Sequence, residues 1–351
     1  MTGPAAPQRL QPDDLEGLVT GIFVHAGLLE PEAAAWSSSL VAANLRGVDS
    51  HGVMRVPRYL ELLSKREINA RPEMRLLREM GAIALLDADR APGPIGMARA
   101  MEIAIARARD VHVGWCVARD ITHAGAVGQY VQQAAEAGMV GMAMTASAPL
   151  MAYHGSKGPV VSTNPIAIGI PARGRPPLVL DMATATVALG KVQNARLAGR
   201  PVPEGWGLDA EGQPTTDAAA IATLLPMAGP KGSGLSLMIE CLASLTAGNP
   251  VLVPALAGAK GTRMNGTAIA LDVRAFGEPG DFEGEVDALA DAVAEQPTAP
   301  GVERLLLPGE RGDAVRRDRV QTGIPLPPAT WNALAAAAQV AGIAMPQPLP
   351  A

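Results

Sequence analysis

Helical periodicity occupies both ends of this chain, and between them short apolar runs alternate with Ala-rich stretches; no other feature restricts the possible folds as much. Leu15, Leu18, Ile22 and Phe23 recur at helical spacing behind Asp13 and Asp14, which act as start signals. A second helix is predicted from near Pro31 through Leu40 and Val41 to a stop at Gly47, and a third carries Val56, Tyr59, Leu60 and Leu63. The texture changes near residue 80. Strands are predicted over 82–88, 113–118, 140–145, 166–170, 179–182, 267–273 and 304–307, and helices over 94–110, 127–137 and 233–247. A last helix over 331–340 sets Trp331, Leu334, Ala338 and Ala341 on one stripe. The Pro- and Gly-rich stretches near 171–177, 199–214 and 248–262 are predicted to be loops within the fold.

The 351 residues suffice for two domains, and 48% apolar against 18% charged residues provides a sizeable core. With 3 Phe, 3 Tyr and 4 Trp, packing falls to Ala, Leu, Val and Met. A net charge of −5 without a basic run argues against a nucleic-acid partner. The 2 cysteines, Cys116 and Cys241, are too few for a disulfide framework and fit a reducing compartment. The polar start, Gln8 to Asp14, does not read as a signal peptide, and no apolar run reaches the ~18 residues of a membrane span. A cytoplasmic protein with no membrane partner is expected.

Of the 5 histidines, His51 and His123 lie in Gly-containing connections: Ser50-His51-Gly52, and Thr122-His123-Ala124-Gly125 between a strand and a helix. A connection can aim an imidazole into a cleft, where it titrates near neutral pH as an acid or base. The plain alternative is a turn-bridging role. His25 is expected to be structural and His112 a surface turn residue. Arg55, four residues after His51, can hold a carboxylate through two parallel hydrogen bonds, or simply be solvated. A carboxylate clamp beside a proton donor suits reduction of a 2-oxo acid. No Gly-x-Gly-x-x-Gly follows a strand, so an ordinary Rossmann fingerprint is absent. Lys231-Gly232, opening a predicted helix, can still bring backbone N–H groups to a diphosphate, or be a tight turn only. Asp49, His51 and His123 make a poor ligand set, and no catalytic metal is expected.

The ordered motifs resemble the type-2 malate/L-lactate dehydrogenase family, with its ureidoglycolate dehydrogenase, diketogulonate reductase, sulfolactate dehydrogenase and piperideine/pyrroline-2-carboxylate reductase branches. They run from Asp49-Ser50-His51-Gly52-Val53-Met54-Arg55 through Tyr59, Ile68-Asn69, Thr122 to Tyr130 and Thr163-Asn164-Pro165. Leu180-Asp181-Met182-Ala183-Thr184, Gly190-Lys191, Gly229-Pro230-Lys231-Gly232 and Leu307-Pro308-Gly309-Glu310 continue the series, so nearly the whole chain is covered. The resemblance implies a mixed α/β, non-Rossmann fold with a mostly antiparallel sheet. Residues 79–310 would form the cofactor-binding domain, and 1–78 with 311–351 a helical substrate and dimerisation domain. It implies proton transfer by His51 or His123 and substrate contacts from Ser50, Arg55, Tyr59 and Asn164. NAD or NADP would contact Asp181, Met182, Ala183, Thr184, Lys231, Gly232, Pro308, Gly309 and Glu310. A homodimer and a small carboxylate substrate are further expectations. Ser147, His154, Ser156, Ser162, Thr267 and the 248–263 loop depart from the usual pattern near the pockets, which leaves the substrate open. The alternatives are a cyclic imine carboxylate as substrate, or a non-catalytic nucleotide-binding relative. Arg173 and Arg175 are candidates for a 2′-phosphate.

Overall fold

The computed structural model describes residues 7–350. The first helices follow the predicted spacing: α1 (Pro12–His25), α2 (Glu30–Leu45) and α3 (Val56–Ser64). Gly47, at φ +73°, turns the chain out of α2 in the left-handed region that glycine enters without a Cβ penalty. These helices share a core with the last helix, α11 (Pro328–Ala341), around Phe23, Trp36, Tyr59 and Leu334. A two-stranded antiparallel pair, Gln8–Leu10 with Ile324–Leu326, ties the two ends of the chain into this one unit.

The middle of the chain builds a seven-stranded sheet. Its strands are β1 (Arg75–Met80), β2 (Ile83–Asp87), β3 (Val113–Ile121), β4 (Met139–Ala146), β5 (Ile166–Ile170), β6 (Leu178–Met182) and β7 (Met264–Asp272). The spatial order is β1-β2-β3-β7-β4-β5-β6, and only β2 and β3 run parallel. That pair needs a crossover, which α4 (Gly93–Val111) supplies. The antiparallel-rich sheet agrees with the expected fold class.

Alternation along the strands gives the two faces different textures. One rung across the sheet reads Ala84, Cys116, Ala268, Ala143 and Ala167. Small side chains here let α4 and α5 (Gly128–Glu136) lie close. A Cβ on Gly114 would sit 1.8 Å from the Ala104 carbonyl oxygen of α4, so only glycine fits that crossing. The neighbouring rung reads Ile83, Trp115, Ile269, Met142, Ile168 and Leu180, all large and apolar. It is partly covered by α7 (Pro230–Glu240), which follows the short α6 (Leu189–Leu197). The predicted helix over 233–247 is thus α7 followed by a π-helical turn, Cys241–Leu245.

The remaining elements are α8 (Leu252–Leu256), α9 (Pro279–Ala294) and α10 (Glu310–Thr322), with a small five-stranded sheet built around Met151–Ala152 and Thr223–Leu224. The strand expected over 304–307 is not formed. Glu310 instead accepts from the Leu307 N–H, and only the Pro308 carbonyl reaches β6, at Val179. No helix among the described residues is long and apolar enough to cross a membrane.

Candidate active site

Two short 3-10 turns, Asp49–His51 and Val53–Arg55, lead into α3 and present the motif residues. The first turn is clamped from afar. Asp49 accepts from Asn44 Nδ2 at 2.6 Å and from both terminal nitrogens of Arg319 on α10, at 2.6 and 3.0 Å. Asn44 Oδ1 receives the Val53 N–H at 2.9 Å, so a Cβ on Gly52 would lie only 2.2 Å from that oxygen. Ser50 packs against Gly190 at the start of α6, and its hydroxyl lies 2.9 Å from His51 Nδ1. Its carbonyl accepts from Arg55 Nε at 2.7 Å, which orients the guanidinium.

His123 comes from the β3–α5 connection to meet this turn. The His51 and His123 rings stack with centroids 5.6 Å apart and 17° between planes. Buried Tyr59 places its hydroxyl 2.8 Å from His123 Nδ1. Tyr59 is itself backed by Trp36 at 4.8 Å and Trp36 by Phe23 at 4.3 Å, an aromatic column that anchors the site in the helical core. Burial, followed by Arg55, lowers the His51 pKa to about 4. Burial, then His51 and Arg55, lowers that of His123 to about 3. Burial pushes the Tyr59 hydroxyl well above its ordinary value. Both imidazoles are therefore neutral at physiological pH, and Tyr59 is a phenol. His123, Arg55 and Tyr59 line a cavity of about 240 Å³ together with Arg58, Ser147 and Arg263. His51 stands behind His123 and is not part of its wall.

Asn164 is buried and spends its amide inside the protein, accepting from the Ser147 N–H and donating to the Ser236 carbonyl on α7. It braces the end of β4 against α7. Ser147 and Ser162 share a hydroxyl contact of 2.6 Å beside the same cavity.

The segments expected at a dinucleotide converge along β6 and its continuation. Asp181, open to solvent, accepts the Gly128 N–H at 2.8 Å. Met182 and Ala183 are half-buried, and Thr184 is buried with no partner for its hydroxyl. The Met227 N–H bonds to the Thr184 carbonyl, and the Gly232 N–H to that of Met227, which brings the first turn of α7 alongside. Lys231 is exposed there, with no carboxylate in ion-pair reach among the described residues. Pro308 and Gly309, opening α10, lie against Val179 of β6. Glu310 is occupied by the Leu307 N–H and by Arg304. A lysine at a helix start, close to a hydroxyl without a partner, forms a donor set that fits a diphosphate and its attached ribose. The 2′-phosphate candidates are committed elsewhere: Arg175 pairs with Asp287 and Asp291 of α9, and Arg173 donates to Gly280. No group of three or more potential metal ligands converges among the described residues.

The malate/L-lactate dehydrogenase family model matches residues 10–335. The chain belongs to that family. It is 33% identical over 329 residues to malate dehydrogenase of Pyrococcus horikoshii, covering 91% of each chain, and the structure of that enzyme superposes with a TM-score of 0.88 over 96% of this chain and 97% of the other. It is 39% identical over 242 residues, 69% of each chain, to ureidoglycolate dehydrogenase (NAD(+)) of Escherichia coli. The structure of δ1-piperideine-2-carboxylate reductase from Pseudomonas syringae pv. tomato gives a TM-score of 0.83 at 30% identity, covering 94% of this chain and 99% of that one. This dehydrogenase is thus an oxidoreductase of a family that implies a nicotinamide cofactor. The Thr267 hydroxyl accepts from Trp115 Nε1 at 2.8 Å.

Several residues of the dehydrogenase's site have no signature in the sequence. Arg319 lies 270 positions from Asp49, on a helix with no apolar stripe to announce it. Arg263 gives no local signal, whereas Arg58 falls inside the motif that runs from Asp49 to Tyr59. Ser147 is visible only as a departure from the family pattern.

Proposed function

We propose that this dehydrogenase interconverts a small 2-oxo acid and its 2-hydroxy acid, with His123 as the group that carries the proton. The observation behind this reading is the arrangement at the cavity. His123 lines it, Tyr59 holds His123 Nδ1, and Arg55 stands beside it with its Nε fixed to Ser50. When bound, NAD or NADP supplies or accepts the hydride, and Asp181 to Thr184, Lys231, Gly232 and Pro308 to Glu310 are the residues that would hold it. Arg55 binds the substrate carboxylate through its free guanidinium edge. With Nδ1–H directed to the Tyr59 oxygen, His123 Nε2 keeps its lone pair toward the cavity. In oxidation Nε2 takes the hydroxyl proton as the hydride leaves the adjacent carbon. In reduction the imidazolium returns that proton to the carbonyl oxygen as the hydride arrives. The bound carboxylate offsets the positive field of Arg55 and so favours the imidazolium when a 2-oxo acid is present. His51, with Nδ1 on Ser50, supports the His123 ring by stacking.

A panel of 2-oxo acids and cyclic imine carboxylates, each run with NADH and NADPH, tests the reading. Turnover of keto acids with either cofactor supports it. Turnover of cyclic imines alone supports the second reading, which the likeness to the Pseudomonas reductase favours. Binding of NADH without any turnover would sink both.

The same reading divides the chain into a helical substrate unit, 1–78 with 311–351, and a cofactor unit, 79–310, with edge strand β1 (Arg75–Met80) of the sheet crossing that boundary. It also includes a homodimer. The apolar face of the sheet stays partly uncovered at Ile83, Val113 and Leu180, and Met238 of the covering helix and Leu245 of the turn after it are exposed as well. A patch of that kind calls for a partner, and a second copy of the chain is the one proposed. Two free cysteines suit a cytoplasmic setting.

A further inference from the structure

The substrate cavity does not end at Arg263. Ala148, Gly261, Thr262 and Arg263 line both it and a second chamber of about 760 Å³, so the two adjoin. Pockets for drug-sized ligands span about 300–1,000 Å³. The inner cavity, at about 240 Å³, is below that range and suits a small acid, whereas the outer chamber has room for a longer molecule.

The walls of the outer chamber are strongly one-signed. Arg66 follows α3, Arg90 precedes α4, and Lys260 and Arg263 come from the 248–263 loop. Against these four cations the lining offers a single carboxylate, Glu67. Glu67 is already engaged by the Thr262 hydroxyl at 2.9 Å. Arg263 lies 3.3 Å from Asp120, and Arg90 donates to the Arg66 carbonyl. Neither Arg66 nor Lys260 has a carboxylate in ion-pair reach among the described residues. Gathering like charges in one concavity raises the local potential and favours a bound anion.

The loop that carries Lys260 and Arg263 is anchored at its base. Buried Glu240 accepts from the N–H groups of Val251 and Leu252 and from Ser244. Asn265 bridges Ser244 and Asn249. The Thr262 contact to Glu67 fastens its other end to the segment after α3. These bonds keep the basic wall facing the chamber.

We infer that the substrate bears a second oxyanion at the end remote from the reacting carbon, on a chain long enough to pass Arg263 and be received by Arg66 and Lys260. A carboxylate, a sulfonate and a phosphate share this chemistry. The inference rests on the proposed function for the inner end only, where Arg55 takes the first carboxylate.

Reduction of 2-oxobutanoate and 2-oxoadipate at saturating cofactor, by wild type, Arg66→Ala and Lys260→Glu, tests it. Wild type should favour 2-oxoadipate in kcat/KM. Arg66→Ala should raise KM for 2-oxoadipate about fivefold, and Lys260→Glu by more, the scale of one screened charge pair. The constants for 2-oxobutanoate and the KM for cofactor should not move, and added salt should raise only the KM for the diacid. No preference for the diacid, equal effects on both acids, or a shift confined to the cofactor KM would overturn the subsite. Calorimetric titration with adipate, which cannot react, separates this from the redox reading. If neither keto acid turns over but adipate binding weakens in both variants, the redox reading falls and the subsite stands. Replacing adipate with 5-phosphonopentanoate tells a phosphate-like terminus from a carboxylate. Absence of binding by both compounds overturns the subsite.

Discussion

His123 and His51 are the same side chain in nearly parallel planes, yet their environments give them different tasks. His123 borders the cavity with Nδ1 occupied by Tyr59, whereas His51 stands behind it with Nδ1 on a serine. His123→Asn should therefore lower kcat about a hundredfold or more with cofactor binding retained, the scale of a lost acid or base; steady-state kinetics with NADH titration checks this. His51→Asn, which loses only stacking and field, should cost much less, and the reverse ranking would exchange the roles. The pKa shifts add a pH prediction. Both imidazoles titrate below their ordinary value, at about 4 and about 3, so the neutral base persists well into acid. Oxidation kcat/KM should stay flat from neutral pH down toward pH 4, and an acid limb near 6.5 would contradict the desolvated site. Stability follows with the same sign. Because the folded pKa values lie below the unfolded value of about 6.5, the unfolded chain binds more protons between the two. The histidines' contribution is complete above about 6.5 and is lost as pH falls through that value to about 3, as denaturant titrations across this window would show.

The turn that carries Ser50 and His51 owes its shape to two other elements. α2 contributes Asn44, whose amide meets both Asp49 and the Val53 N–H, and α10 contributes Arg319. No side chain at position 52 fits beneath Asn44, so Gly52→Ala should cost about 2 kcal/mol, typical of overpacking, seen as a lower Tm together with reduced turnover. Arg319→Ala should lower kcat by loosening the Asp49 turn, and Arg319→Lys should restore part of it; no loss in the alanine variant would remove Arg319 as a positioning residue. These elements also show what a sequence reveals. The Ser50-His51-Gly52 turn and Arg55 are legible because their relation is local. The clamp is not, because α10 presents Glu310, Arg311, Asp313 and a run of arginines with no apolar period, and the pairing closes a separation of 270 residues. The apolar run near 304–307 has the composition of a strand but does not form one, since the Leu307 N–H is satisfied by a helix-start glutamate instead of a neighbouring strand. Arg173 and Arg175 are cations near the cofactor segments in sequence, but acid-rich α9, distant in sequence, claims Arg175 through its carboxylates and Arg173 through a backbone carbonyl.

At the scale of the whole molecule, the sheet joins residues that the sequence keeps apart. β7, late in the chain, inserts between β3 and β4, and the Asp181–Gly128 bond ties the motif on β6 to the start of α5, just after the His123 connection. Individual strands are legible from their apolar runs, but their order is not, because a long antiparallel return leaves no local mark. The order has an energetic consequence. Pairing brings small residues into one rung, where Ala-rich helices seat against them, and gathers Ile83, Trp115, Ile269, Met142, Ile168 and Leu180 into the next. α7 covers the centre of that second face and leaves Met238, with Leu245 just beyond it, about half exposed, at 52% and 51%. Apolar area left at the surface on this scale is stabilised by association, at roughly 25 cal/mol per Å² removed from water. If a second copy seats here, a charge at either position must be desolvated or the pair must separate. Met238→Glu and Leu245→Glu lie on the outer side of this helical stretch, so each should fold with unchanged helix content by circular dichroism. Each should sediment as a monomer at concentrations where wild type is a dimer, and the double variant should do so more completely. Folded variants that remain dimeric would move the interface to another face, and a wild type that sediments as a monomer would end the proposal for this one.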